Sequence, residues 1–168
     1  RWSAACISGA RAIVTHNPFQ PIARPSAVLF ACNLNIIRSP MAEALLKRHL
    51  GTRIYVDSCG IRTGAEVDGF MIAVMAEIGI DLTAHHPKTF DELDDAYYDL
   101  IISLSPEAQH RATEMTRAMA CDMEYWPTMD ATLAGGGRED RLAAYRQVRD
   151  HLAARIAARF GPWSPDDA

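Results

Sequence analysis

Cys32 and Arg38 stand six positions apart, with Asn33 and Asn35 between them and Ser39 directly behind. A guanidinium is a planar, two-pronged donor that matches a tetrahedral oxyanion. A turn between a strand end and a helix start aims several backbone N–H groups inward, and the helix dipole adds to their positive field. A thiol at the mouth of such a turn feels the same field, so its thiolate should be stabilised. Nucleophile, cradle and guanidinium together imply phosphoryl transfer through a cysteinyl-phosphate. In that chemistry Cys32 attacks phosphorus. The N–H groups of Asn33, Leu34, Asn35, Ile36, Ile37 and Arg38 hold the phosphate, together with the Arg38 guanidinium. No metal or organic cofactor is required.

The elements on either side are what make this turn a site. Residues 26–31 are an apolar run too short for a helix, which predicts a buried strand. Ser39 predicts a helix N-cap and Pro40 the first helical position, with an Ala/Leu-rich helix over 40–50 that ends at Gly51. The rest of the chain keeps the same alternation. Strands are predicted over 53–58, 99–104 and 123–126. Helices are predicted over 67–78, over a short acidic 90–96, over 106–117 with Ser105 as cap, and over 138–160. The last shows Leu142, Tyr145, Val148, Leu152 and Ile156 on one face and most of its arginines on the other. Strands alternating with helices imply an α/β chain: a three-layer α/β/α sandwich around a four-stranded parallel sheet. The expected organisation is a single domain over 25–161. A loosely ordered, acid-free extension over 1–24 precedes it, and a polar tail over 162–168 follows.

Composition narrows the function. The chain has 168 residues, a net charge of −4 and no run of 18 apolar residues. A mildly acidic balance argues against general nucleic-acid binding, and the hydropathy against a membrane span. The four cysteines, Cys6, Cys32, Cys59 and Cys121, are scattered. That suits neither a disulfide framework nor a zinc ribbon, and points to a reducing, cytoplasmic setting. Cys59 is expected to be a packed small residue and Cys6 incidental. His85 and His86 have no third ligand at metal-binding spacing, so no metal site is expected.

The Cys-x5-Arg-Ser turn between strand and helix resembles the signature of the low-molecular-weight protein tyrosine phosphatase family, whose fold thioredoxin-linked arsenate reductases share. Asp57-Ser58 after the second strand, the run from Glu77 to His85 and a late Asp130 extend the resemblance over about residues 26–160. The resemblance implies a flavodoxin-like, phosphotyrosine phosphatase I-like sheet of order 2-1-3-4. It implies Cys32 as nucleophile, Arg38 as phosphate ligand and Asp130 as general acid. Asn35, Ser39, Ser58 and His85 would form the hydrogen-bond network that holds the loop. Three positions depart from the family's usual pattern: Leu34 where Gly is common, Ile37 where a second Cys is common, and Ala131 where Pro usually follows the acid.

The expected function is hydrolysis of phosphate monoesters, with protein phosphotyrosine as the main class. The partners would be a phosphorylated protein or a small phosphate monoester, with inorganic phosphate as product, and neither nucleic acid nor membrane. Two alternatives stand beside it. One is an arsenate reductase on the same fold, against which counts the absence of any Cys over 80–95, where a resolving pair would be expected. The other is an oxyanion-binding module without turnover. If Asp130 is only a turn residue, Asp122 and Asp140 are the remaining candidate acids.

Overall fold

A computed structural model describes residues 24–161 except 65, 94–96 and 118. The expectations for the two termini, including Cys6, lie outside the described residues. Ala27–Cys32 forms β1, and all six of its residues are buried. Val28, Phe30 and Cys32 belong to one core cluster, Ala27, Leu29 and Ala31 to another. A strand covered on both faces cannot alternate apolar with polar residues, which is why β1 is continuously apolar. The first cluster is completed by α1 (Arg38–Leu50), α2 (Gly69–Ala76) and α4 (Arg138–Phe160), the second by α3 (Pro106–Thr116).

The sheet is wholly parallel. Beside β1 lie β2 (Tyr55–Gly60), β3 (Leu100–Ser103) and β4 (Asp122–Tyr125), in the order β2-β1-β3-β4. From β1 the chain first winds to one side, then returns to β1's other edge. That reversal opens a crevice at the C-terminal end of β1, where Cys32 sits. Among the described residues, no helix is long and apolar enough to cross a membrane.

Several expected boundaries move. The first helix starts at Arg38, its N-cap is Ile37, and no side chain caps it. Ser39 is therefore not the N-cap, because its hydroxyl is engaged elsewhere. A 3₁₀ turn over Gly51–Arg53 continues past α1 and delays β2 by two residues relative to 53–58. The second helix is shorter than 67–78. Its start is fixed by Asp68, whose carboxylate accepts from the N–H groups of Phe70 (2.9 Å) and Met71 (3.0 Å). Of the short acidic helix expected over 90–96, Phe90–Glu92 is a single 3₁₀ turn that ends at Leu93, and 94–96 lie outside the described residues. The long last helix runs as its periodicity predicts, with one correction. Arg149 lies on its buried side and donates to the Val74 carbonyl (2.8 Å) and to Glu77 (2.9 Å).

Gly60, the last residue of β2, sets how closely the Cys32 turn can approach. A Cβ there would lie 2.6 Å from the Arg62 carbonyl oxygen and 2.9 Å from both Asn35 N and Leu34 C. All three are backbone atoms and cannot rotate away. Gly60→Ala should destabilise the protein by about 1–3 kcal/mol, the usual cost of overpacking, and weaken oxyanion binding at the turn. Urea unfolding together with phosphate titration checks both effects.

Candidate active site

The turn after β1 has its carbonyls committed to the outside. Ile61 N–H donates to Cys32 O (3.2 Å), Arg62 N–H to Asn33 O (3.1 Å) and Gly64 N–H to Leu34 O (3.1 Å). His85 Nε2 meets Asn35 O (3.1 Å), Asp68 N–H donates to Ile36 O (3.4 Å), and Met41 N–H to Ile37 O (3.1 Å). In a trans peptide the N–H points opposite to the C=O. Outward carbonyls on Cys32 to Ile37 therefore turn the N–H groups of Asn33 to Arg38 inward. Among the described residues, the N–H groups of Leu34, Asn35, Ile36 and Ile37 donate to no protein atom. With the start of α1 behind them, they form a cradle for an anion.

Asn35 holds the turn. It is the one non-glycine residue at positive φ among the described residues, at +55°. Asn tolerates that conformation better than most side chains. Its buried amide donates to Ser39 Oγ and Ser58 Oγ (2.9 Å each). It accepts from Lys88 N–H (3.0 Å) and faces His85 Nε2 (3.2 Å). Both amide protons and both lone pairs are thus in use. Ser58 in turn donates to Glu43 (2.5 Å). Ser39 Oγ lies 2.9 Å from Cys32 Sγ and 3.2 Å from the Cys59 carbonyl oxygen. Its single proton can turn to either, and an ionised sulfur attracts it more strongly than a neutral carbonyl does.

Arg38 and Asp130 close the site from the far side. Arg38 Nη1 donates to Thr128 O (3.0 Å), which fixes the guanidinium plane, and Nη2 lies 3.7 Å from Asp130 Oδ2. The other Asp130 oxygen accepts from Thr132 N–H (3.0 Å) and Oγ1 (2.7 Å). The structure thus places Cys32, the turn, Arg38 and Asp130 around one cavity of about 140 Å³, with Arg62 and Thr132 also in its wall. Asp122 sits at the start of β4, at the opposite end of the sheet from the turn. Asp140 accepts from Gly137 N–H (2.9 Å) at the start of α4. Neither lines the cavity. A larger cavity of about 530 Å³ between α1 and α4 contains none of these groups.

Sequence reasoning missed Glu43, Arg62, Lys88 and Thr132. Thr132 was detectable, since Asp-x-Thr is the pattern of a side chain bonding its own backbone two residues on. The same pattern recurs at Asp81 and Thr83 (2.9 and 2.7 Å). Arg62 and Lys88 reach the site from elements distant in sequence, whereas Glu43 lies on α1 itself and joins the network through Ser58. Asn33, expected as a cradle residue, has its side-chain oxygen tied to the Ser105 hydroxyl and so contributes backbone only. Cys59 is fully buried, on the sheet face opposite to Cys32, and burial pushes its thiol up. Cys121 precedes β4, at the far end of the sheet. Among the described residues, no group of three His, Cys, Asp or Glu could hold a metal ion.

His85 faces two acceptors with one nitrogen, so that nitrogen must carry the ring proton in the neutral imidazole. Burial is the largest influence on the ring and holds it below its usual value near 6.5, although the Asn35 carbonyl and the Glu43 carboxylate pull the other way. The unfolded chain therefore binds this proton first as pH falls. His85 adds stability that is complete above about pH 6.5 and is lost as pH drops towards the folded value. His85→Gln keeps a donor without the titration. Its unfolding midpoint should fall less than that of the parent between neutral and mildly acidic pH, and parallel curves would assign the slope to other groups.

Comparison with known proteins identifies the family. Residues 27–157 match the family model for low molecular weight phosphotyrosine protein phosphatases. An arsenate reductase of Halalkalibacterium halodurans is 32% identical over 131 residues, covering 77% of this chain and 91% of that protein. Among solved structures, an arsenate reductase in a phosphate-binding state aligns with a TM-score of 0.60 at 27% identity, covering 79% of this chain and 95% of the other. A tyrosine phosphatase of Erwinia amylovora aligns with a TM-score of 0.65 over 83% of this chain and 94% of the other. Its 20% identity makes it a likeness of fold alone.

Proposed function

This chain belongs to the low molecular weight phosphotyrosine protein phosphatase family, and on that premise we propose that it hydrolyses phosphate monoesters, with protein phosphotyrosine as substrate class. The observation that carries the proposal is the inward-facing cradle beside Cys32, with Arg38 and Asp130 across one small cavity. The ester's phosphate docks on the N–H groups of residues 33–38 and on Arg38. Cys32 sulfur attacks phosphorus in line and the ester P–O bond breaks. Protonated Asp130 gives its proton to the leaving oxygen. Water then attacks the thiophosphate, its proton passes to the Asp130 carboxylate, the S–P bond breaks, and inorganic phosphate leaves. Ser39 eases departure of the sulfur by donating to it. Preorganised donors of this kind are each worth about 10²–10³ in rate. The test is a burst of product stoichiometric with the active thiol on a chromogenic aryl phosphate. No hydrolysis, or hydrolysis that survives alkylation of Cys32, would reject the reading.

A second reading is favoured by the Halalkalibacterium relative, which is named an arsenate reductase. Arsenate would occupy the same cradle, but its reduction needs a second thiol to resolve the cysteinyl adduct. Residues 80–95 contain no Cys. Cys59 and Cys121, the other cysteines among the described residues, lie on the opposite sheet face and at the opposite end of the sheet. Among the described residues no cysteine is placed to resolve the adduct, and an added small-molecule or protein thiol could serve. Thiol-dependent arsenate reduction, measured beside aryl phosphate hydrolysis, separates the two activities.

A further inference from the structure

Arg62 stands in the wall of the active-site cavity, and the proposed reaction gives it no task. Several other arginines have partners. Arg111 pairs with Asp91, Arg146 and Arg149 with Glu77, and Arg159 with Glu124, while Arg155 lies over the Trp126 ring. Among the described residues, the Arg62 guanidinium has no acceptor, no carboxylate and no ring. Its backbone, by contrast, is fixed. The N–H groups of Ile61, Arg62 and Gly64 all donate to carbonyls of the phosphate turn, between 3.1 and 3.2 Å. The backbone that carries an exposed, unpaired cation is therefore fixed beside the cradle.

A phosphate seated in the cradle must direct its leaving group out through the mouth of this cavity. Asp130 and Thr132 form one part of that wall and Arg62 another. Their sequence neighbours Ile61, Met129 and Leu133 are apolar and exposed, at 38%, 53% and 83%. They offer a leaving group contact surface but no charge. We propose that Arg62 is a specificity-determining residue that recognises a second anion on the leaving-group side of the ester, as an acidic residue beside a phosphotyrosine would supply. A guanidinium fork matches a carboxylate in two-pronged geometry and gains most where it has no competing partner. The inference rests on the phosphomonoester reading of the site.

Two peptides carrying non-hydrolysable phosphonomethylphenylalanine test it, one flanked by Asp and Glu, the other by Asn and Gln. The parent protein should bind the acidic peptide about two- to fivefold more tightly, the range expected for an exposed ion pair. The preference should shrink with added salt. Arg62→Gln should bring the ratio close to one, and Arg62→Lys should keep part of it. A ratio near one in the parent, an unchanged ratio in Arg62→Gln, equal losses for both peptides, or failure of both to bind would overturn the inference. Because the peptides are not turned over, an intact ratio in a protein that does not hydrolyse aryl phosphate would reject the catalytic reading and leave the role of Arg62 standing.

Discussion

Cys32→Ser is expected to lose roughly 10⁴-fold or more in turnover while still binding phosphate. The cradle does not depend on the sulfur. Its carbonyls are held by Ile61, Arg62, Gly64, Asp68, Met41 and His85, and its one left-handed residue by Lys88, Ser39 and Ser58. A serine hydroxyl fits the same 2%-exposed position and can still bond to Ser39. What it lacks is the nucleophilicity of sulfur, because an alcohol gives up its proton far less readily than a thiol. No base sits beside it to take its proton, because Ser39 is itself a hydroxyl and the Asp130 carboxylate is turned to Arg38 and Thr132. Calorimetric phosphate binding and stopped-flow hydrolysis, run on the same preparation, separate affinity from chemistry. Retained hydrolysis would remove Cys32 as nucleophile. Lost phosphate binding would mean that the sulfur shapes the cradle.

Asp130→Ala should slow hydrolysis of esters with poor leaving groups by about 10²–10⁴, the usual worth of a positioned acid. Esters whose leaving oxygen departs without a proton should be slowed far less. The contrast follows from where Asp130 sits. One oxygen is locked by Thr132, and the other lies 3.7 Å from Arg38, so the carboxyl is at the mouth beside the bound phosphate, not beneath it. Asp130→Asn is the companion variant. It keeps an oxygen for Thr132 and a neutral group near Arg38, so a loss it shares with Asp130→Ala is a loss of proton transfer rather than of loop shape. A slope of log kcat/KM against leaving-group pKa that steepens in both variants is the expected signature. Equal loss across the series would return Asp130 to the status of a turn residue.

The local grammar of the chain was readable because each signal is carried by near neighbours. The continuous apolar run of β1 announced burial on both faces, and the apolar stripe of α4 announced its length to the residue. The spacing of Cys32 and Arg38 announced a turn that brings both side chains to one cavity. The same grammar misassigned Ser39. A serine before a proline and an Ala/Leu-rich stretch is the pattern of an N-cap, but capping rules see only the backbone ahead of the hydroxyl. Here a sulfur, an amide and a carbonyl from three other places compete for it, and they win. Asp68 was missed in the opposite direction. It caps α2 from just before Gly69, a residue that masks a helix start.

Residue order alone determined that a cysteine and an arginine share one strand-to-helix turn, the alternation that makes a parallel sheet, and most of the helices. All of these rest on groups within a few positions of one another, whose geometry follows from backbone sterics and periodicity. Tertiary structure alone decided which distant groups complete the site. Arg38 meets Thr128 across 90 positions, and Asn35 meets Lys88 and His85 across 53 and 50. Those encounters exist only because the strand order β2-β1-β3-β4 brings the C-terminal ends of separate strands to one edge. Which loops converge on that edge depends on the free energy of the whole core, and no short stretch of the chain encodes it.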